Sequence, residues 1–199
     1  MSNLLVQNIK HTNGTTAQTI DSSGNTTVNN TLKVNTIQDA TNSTNAMTIS
    51  SNGIVQKSVV PHLKVGVGSN HDTGGSSGAT IQYSSFSSSH VFDGADTMSA
   101  FNTSNYTYTI PANCTGFWHV SASVYSYNST ANQIAIYVDG NRTDSPAIRS
   151  ESGSHYIITG AMVKKFTTGQ AVTMRVFASS NCYVYANNFH TWWEMTFLG

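Results

Sequence analysis

Hydrophobic and polar positions alternate in short runs through most of the chain, and in no long window do apolar residues recur with a helical period. Tyr106-Thr107-Tyr108-Thr109-Ile110 alternates and stops at Pro111. Trp118, Val120, Ala122 and Val124 share one face of a long strand, and Ile134, Ile136 and Val138 share a face of the next, which ends at an Asp139-Gly140 turn. Tyr156 to Met162, Val172 to Ala178, Cys182 to Ala186 and Trp192 to Leu198 read as further strands, and His62-Leu63-Lys64-Val65-Gly66-Val67 as an earlier one following Pro61. Ser69 to Gly78 reads as a surface loop. Roughly nine or ten strands in this space predict an all-β chain whose main body is an antiparallel jelly-roll sandwich.

The pattern is not uniform. All 20 aromatic residues follow residue 82, from Tyr83 onward. A segment without large rings lacks the side chains that supply most buried area, so the opening stretch has no compact core of its own. That stretch repeats itself: Val6-Gln7-Asn8-Ile9 recurs as Val34-Asn35-Thr36-Ile37, and Ala17-Gln18-Thr19-Ile20 recurs as Ala46-Met47-Thr48-Ile49, with the separation growing by one residue. Thr26-Thr27-Val28 and Thr31-Leu32-Lys33-Val34 are β-prone, while Asn13-Gly14, Gly24 and Asn52-Gly53 signal turns. Residues 1–60 thus read as a thin repeat-bearing stalk or anchor, 61–80 as a linker with the first strand, and 81–199 as the head. Three chains around one axis would bury the small Val, Ile and Leu row and leave Ser, Thr and Asn in water. A low-complexity linker is the alternative.

Charge excludes several function classes. Charged residues make up 9% of the chain and the formal net charge is zero. There is no basic patch for a phosphate backbone, so no nucleic-acid partner is expected. No apolar run approaches membrane-spanning length, and Met1-Ser2-Asn3-Leu4-Leu5 lacks the basic and apolar regions of a secretory signal. Cys114 and Cys182 fit no metal-ligand doublet; two free thiols are preferred over a disulfide.

Three stretches resemble a family. Thr115-Gly116-Phe117-Trp118-His119-Val120 is similar to the Gly-x-aromatic-x-hydrophobic signature of the C1q-like, tumour-necrosis-factor-like jelly roll. Gly160-Ala161-Met162-Val163-Lys164-Lys165-Phe166 through Gly169-Gln170-Ala171-Val172-Thr173-Met174-Arg175-Val176 resembles that family's Gly, hydrophobic strand, Leu-x-x-Gly-Asp-x-Val-x-Leu segment, with Phe166 in place of Leu and Gln170 in place of Asp. Trp193-Glu194-Met195-Thr196-Phe197-Leu198-Gly199 resembles its terminal central strand. The resemblance covers about residues 80–199 and implies a homotrimer whose knob binds something. No Gly-X-Y collagen tract precedes the head. The leader instead resembles fibre and decoration proteins of tailed bacteriophages, through pieces such as Ile37-Gln38-Asp39-Ala40 and Thr48-Ile49-Ser50-Ser51-Asn52-Gly53.

Catalysis finds little to work with. A glycosidase needs two carboxylates facing across a cleft, and of the head's acids Asp139 and Asp93 are explained by turns. The histidines lack ligand spacing, so a metal would need ligands from three chains at an axis, where His119 is the candidate; no cofactor motif is present. Trp118, Val120, Phe177, Trp193 and Phe197 are expected to fill the sandwich or the subunit interface. Tyr125, Tyr127, Tyr183 and Tyr185, with Asn128, Asn141 and Arg142, are the candidate binding residues, and the loops at 126–132, 140–154 and 179–188 the candidate recognition loops. The function expected is a non-enzymatic virion component made in the host cytoplasm. In this reading a trimeric fibre or capsid decoration protein docks to other virion proteins through residues 1–60 and presents a knob to a host-surface glycan or protein, or simply stabilises the particle. A secreted lectin-like or cytokine-like binding module is the alternative.

Overall fold

A computed structural model of the chain describes all residues except 1–7, 11–15, 29–35, 39–44, 50, 58, 74–77, 90, 92, 128–130, 149–154, 179–181 and 187–189. The chain divides into two compact units, Met1–Ser58 and Val59–Gly199.

In the first unit, β1 (Asn8–Lys10), β2 (Thr16–Ile20) and β3 (Thr26–Val28) form an antiparallel meander, and β4 (Thr36–Gln38), β5 (Asn45–Ile49) and β6 (Val55–Lys57) form another. The sequence repeat is a repeat of structure down to its register. Ile9 pairs with Gln18 as Ile37 pairs with Met47, and both first strands carry a β-bulge at the next residue. Gln18 pairs with Val28 as Met47 pairs with Lys57. The one extra residue of the second copy falls between its first two strands, in 39–44 against 11–15. Gly24 (φ 82°) and Gly53 (φ 76°) occupy equivalent turn positions in the left-handed region, where only glycine is free of steric cost. Beside Gly24, the Asp21 carboxylate accepts hydrogen bonds from the Ser23 and Asn25 backbone N–H groups (2.9 and 2.8 Å) and from the Asn25 amide (2.8 Å). These bonds, the Asn25 amide first, hold the Asp21 carboxyl below the usual carboxylate range. The piece Thr31-Leu32-Lys33-Val34 lies outside the described residues.

The second unit contains β7 (His62–Val67), β8 (His71–Asp72), β9 (Ala79–Thr80), β10 (Tyr83–Ser85), β11 (Ala95–Asp96), β12 (Phe101–Asn102), β13 (Thr107–Thr109), β14 (Gly116–Tyr127), β15 (Ala131–Val138), β16 (Asn141–Ile148), β17 (His155–Phe166), β18 (Ala171–Ala178), β19 (Tyr183–Val184) and β20 (Trp192–Phe197). Every pairing is antiparallel and no helix occurs among the described residues. The first sheet runs β10-β7-β20-β14, with β17 along the whole of β14, β11 on β7, and β19-β8 continuing beside the far end of β14. The second runs β12-β13-β18-β15-β16, with β9 on β18. This is an all-β antiparallel jelly roll.

Period-two alternation places the core between the sheets. Trp118, Val120, Ala122 and Val124 of β14 meet Ile134, Ile136, Val172, Met174 and Val176 of the second sheet, all fully buried. Trp118 is clasped by Tyr108 (5.9 Å between ring centroids) and Phe197 (5.1 Å), and its indole N–H donates to the Cys114 carbonyl at 3.2 Å. Gly116, at the start of the same strand, has no room for a side chain: a Cβ there would collide with the Gly199 carbonyl. Asp139 (φ 50°) and Gly140 (φ 79°) form the two-residue hairpin between β15 and β16, with both residues left-handed as a type I′ turn requires.

Three expectations need correction. Residues 141–148, read as loop, form the edge strand β16 with two irregularities against β15. Apolar alternation is missing there because the inward position is Asp144, paired with Lys164 of β17 rather than with a hydrophobe. Residues 182–186 hold only the two-residue β19, with Tyr185 and Ala186 outside it. Of the two places expected for Phe177, the sandwich or the subunit interface, the sandwich is excluded. Its neighbours Val176 and Ala178 take the inward positions of β18, which leaves Phe177 half-buried on the sheet's opposite side.

Candidate binding surfaces of the head

Strand parity sends every second residue of the first sheet away from the core. On β14 these are Phe117, His119, Ser121, Ser123 and Tyr125, and opposite them on β17 stand Lys165, Val163, Ala161, Thr159 and Ile157. On the other flank β20 presents Trp192, Glu194 and Thr196, with Leu198 just beyond it. The face carries Phe117 at 53%, Val163 at 55%, Leu198 at 55% and Ile157 at 43% exposure, large apolar side chains of the kind a solitary sheet face buries. Among them lie a Lys64–Glu194 ion pair (3.8 Å) and a row formed by His119, Thr196 and His62, in which His62 Nδ1 and the Thr196 hydroxyl are 2.9 Å apart. His119 is half-buried in that row.

At the far end of the same face three of the candidate tyrosines come together. Tyr125 and Tyr185 lie 5.2 Å apart at 32°, Tyr183 meets Tyr185 edge-on at 5.5 Å, and Tyr125 meets His190 edge-on at 5.9 Å. The Thr191 hydroxyl fixes the arrangement by accepting from the Tyr125 N–H (3.1 Å) and donating to the Tyr185 carbonyl (2.7 Å). Sequence reading left out His190 and Thr191, which precede the last strand and carry no local signal of their partners. Tyr127 ends β14, but its side chain lies outside the described residues, as does all of Asn128.

Asn141 and Arg142 belong elsewhere, at the start of β16 on the second sheet. The Asn141 amide donates to the Asp139 carbonyl at 3.2 Å. Arg142 lies over the Phe177 ring at 4.6 Å, and Arg175 lies over Tyr137 at 4.0 Å. Tyr137 and Arg175 were not among the candidates, because each sits in an alternating strand as one more outward residue.

The displaced titrations in the head all come from burial. It pushes the Tyr83 hydroxyl far up and does the same at Tyr108, where Asp96 and Cys114 add to it. It raises the Cys114 thiol, so the buried sulfur is no activated nucleophile. It lowers His71, against the opposing influence of the Ser69 carbonyl and Asp72. His71 is accordingly wired as a neutral ring: Nδ1 lies 3.3 Å from the Ser69 carbonyl, while Nε2 accepts from the Gln82 N–H at 3.2 Å. Among the described residues no three of His, Cys, Asp and Glu converge on a point where a metal ion would be held.

No protein-family model and no curated protein matches the sequence. The similarity to solved structures lies in the fold. The crystal structure of murine APRIL at pH 8.0, a tumour-necrosis-factor-family protein, superposes with a TM-score of 0.52 at 11% identity, over 70% of this chain and 100% of that one. The globular domain of the zebrafish complement 1qA protein gives a TM-score of 0.44 at 14% identity, over 70% of this chain and 98% of that one. The likeness to the first of these shows that the head has the jelly-roll fold of that structure.

Proposed function

We propose that the protein is a non-enzymatic, homotrimeric binding module whose heads associate through the outward face of the first sheet. The observation that carries this reading is the distribution of exposed large hydrophobic residues after Pro61. Of Met98, Phe117, Ile157, Val163, Tyr183 and Leu198, all but Met98 lie on that one face. A second copy seated there removes them from water at about 25 cal/mol per Å² of apolar area. The leader supports the same reading, since the equivalent residues Ile9 and Ile37 are each 48% exposed in a single chain. A stalk repeat that leaves its apolar row open is complete only when other chains cover it.

We place this module on a virus particle. Residues 1–60 dock to other virion proteins, and the head meets a host-surface glycan or protein or covers and stabilises the particle. This part rests on the leader's resemblance to phage fibre and decoration proteins and on its repeated meanders. The tyrosine cluster at the end of the associating face is the contact region favoured for a partner.

Sedimentation of the full chain tests the first part: a trimer is expected at micromolar concentration, with Phe117→Glu and Val163→Glu together giving a folded monomer. A monomeric parent chain refutes it. An antibody against the head is expected to decorate purified particles, and deletion of residues 1–55 to abolish incorporation while the head still binds cells. Normal incorporation of the truncated protein refutes the anchoring role.

A further inference from the structure

The second sheet has an outward face of a different chemistry. Arg175 stacks on Tyr137 at 4.0 Å, Tyr137 lies nearly parallel to Phe177 (19°, 6.4 Å), and Arg142 stacks on Phe177 at 4.6 Å. Two guanidinium groups thereby lie over a pair of stacked rings, each within cation–π distance of an aromatic face. Arg142 is further fixed by Nη2, which donates to the Gln133 side-chain oxygen (2.6 Å) and to the Ser145 hydroxyl (3.0 Å). Those two bonds use the hydrogens of Nη2 and leave those of Nη1 and Nε on an exposed side chain.

No carboxylate answers these charges among the described residues. Lys64 and Glu194 pair on the first sheet, and Asp144, the nearest acid to Arg142 in sequence and on the same strand, shares the inward side with Ile136 and pairs with Lys164. Asp139, at the hairpin turn, spends its carboxylate on the Ala171 N–H at 2.9 Å. Arg175 donates only a long bond to the Gly78 carbonyl (3.4 Å), and its Nε is buried without a partner. In a chain with nine cationic and nine acidic side chains, two unanswered guanidiniums on one face are a concentration of charge.

We propose that this face binds an acidic polysaccharide, with Arg142 as the contact for its carboxylate or sulfate group. A preset guanidinium with free N–H groups gains a charge-assisted hydrogen bond without ordering a long side chain. The amide and hydroxyl of Gln133 and Ser145 beside it suit a hydroxylated ligand. A nucleic acid is disfavoured because its backbone needs a track of cations, and among the described residues this face has two. The proposal goes beyond the adhesive reading, whose favoured contact is the tyrosine cluster of the first sheet, by assigning a second face and its ligand class. Because that face is not the associating one, its failure is distinguishable from failure of the trimer, which sedimentation reads separately.

The test is binding of the full chain to immobilised polyuronate, heparin, neutral dextran and a single-stranded oligonucleotide. Binding to polyuronate or heparin is expected, the better of the two identifying the anionic group, with neither dextran nor the oligonucleotide retained. Arg142→Gln is expected to weaken binding about tenfold at an unchanged melting temperature. Arg142→Lys keeps the charge but loses the fork, and is expected to weaken it nearly as much. Lys10→Gln, an exposed cation outside the head, is expected to change little. Retention on neither acidic polymer, equal retention on the oligonucleotide, full binding by Arg142→Gln, or an equal loss in Lys10→Gln overturns the proposal.

Discussion

The leader and the head are built from the same secondary structure and the same Ser/Thr/Asn-rich alphabet, yet they gain stability by different means. In the leader the strands are three to five residues long and no described side chain is buried. Its order comes from backbone ladders and from turns such as the one around Asp21. In the head, long strands present alternate residues to a shared interior, where Trp118, Trp193, Tyr83, Tyr108 and Phe166 are fully buried. Ordering the backbone costs about 1–2 kcal/mol per residue wherever it occurs. The head offsets this by burial within one chain, whereas the described residues of the leader bury no side chain, and the association proposed above is what would cover its apolar row. The two regions differ in how much burial a single chain supplies.

That contrast is breakable, most strongly at Trp118. Trp118→Ala removes a fully buried indole held by Tyr108, Phe197 and the Cys114 carbonyl. A loss of about 3–5 kcal/mol is expected, comparable to a domain's whole stability. Near-ultraviolet circular dichroism and a thermal melt check it; a melt within a degree or two of the parent would contradict the assigned core.

Glycines sharpen the comparison, because Gly116 of the head and Gly53 of the leader are glycine for different reasons. At Gly116 a methyl group meets the Gly199 backbone, so Gly116→Ala is expected to cost the head about 1–3 kcal/mol. At Gly53 nothing lies within 4 Å, but φ is +76°. Gly53→Ala therefore pays only for the left-handed backbone, about 1 kcal/mol. Hydrogen exchange is expected to speed up in β5 and β6 for Gly53→Ala with the head unchanged, and in β14 and β20 for Gly116→Ala with the leader unchanged.

The smallest effect is a pH dependence confined to the head. Burial holds His71 below the ordinary imidazole value, so the folded state binds fewer protons than the unfolded chain. The stability linked to this ring is complete above the unfolded value of about 6.5 and declines as pH falls toward the folded one. The melting temperature is expected to drop between pH 7 and pH 5.5, and His71→Gln to flatten that slope. An unchanged slope in the variant would show that His71 is not its source.

Much of this was legible in the residues. The gapped repeat at Ile9 and Ile37 reappears as two meanders of identical register, since an ordered recurrence of apolar and turn positions is a recurrence of backbone pairing. The inward face of β14 was readable because Trp118, Val120, Ala122 and Val124 alternate without interruption. Asp139-Gly140 was readable as a hairpin because a type I′ turn demands positive φ at both central positions, which Asp-Gly tolerates well. β16 was not, because Asp144 occupies its inward position and the Lys164 that pairs with it comes from a strand of the other sheet. Phe177 was left between core and interface for a related reason: an outward phenylalanine looks like a core residue until Tyr137 and Arg142 are seen against it.

By itself the sequence determined the strands with clean alternation, the turns with special backbone angles, and the division into a ring-free leader and an aromatic head. These follow from forces acting over a few residues: the period of the pleat, the sterics of glycine and the absence of large side chains. The tertiary structure alone decided which strands neighbour one another, and with that the apolar face of the first sheet, the Tyr125–Tyr185–His190 cluster and the stacked arginines of the second. Each of those surfaces joins residues from strands far apart in the chain. Their proximity is fixed by the order in which the sheets assemble, and no local pattern encodes that order.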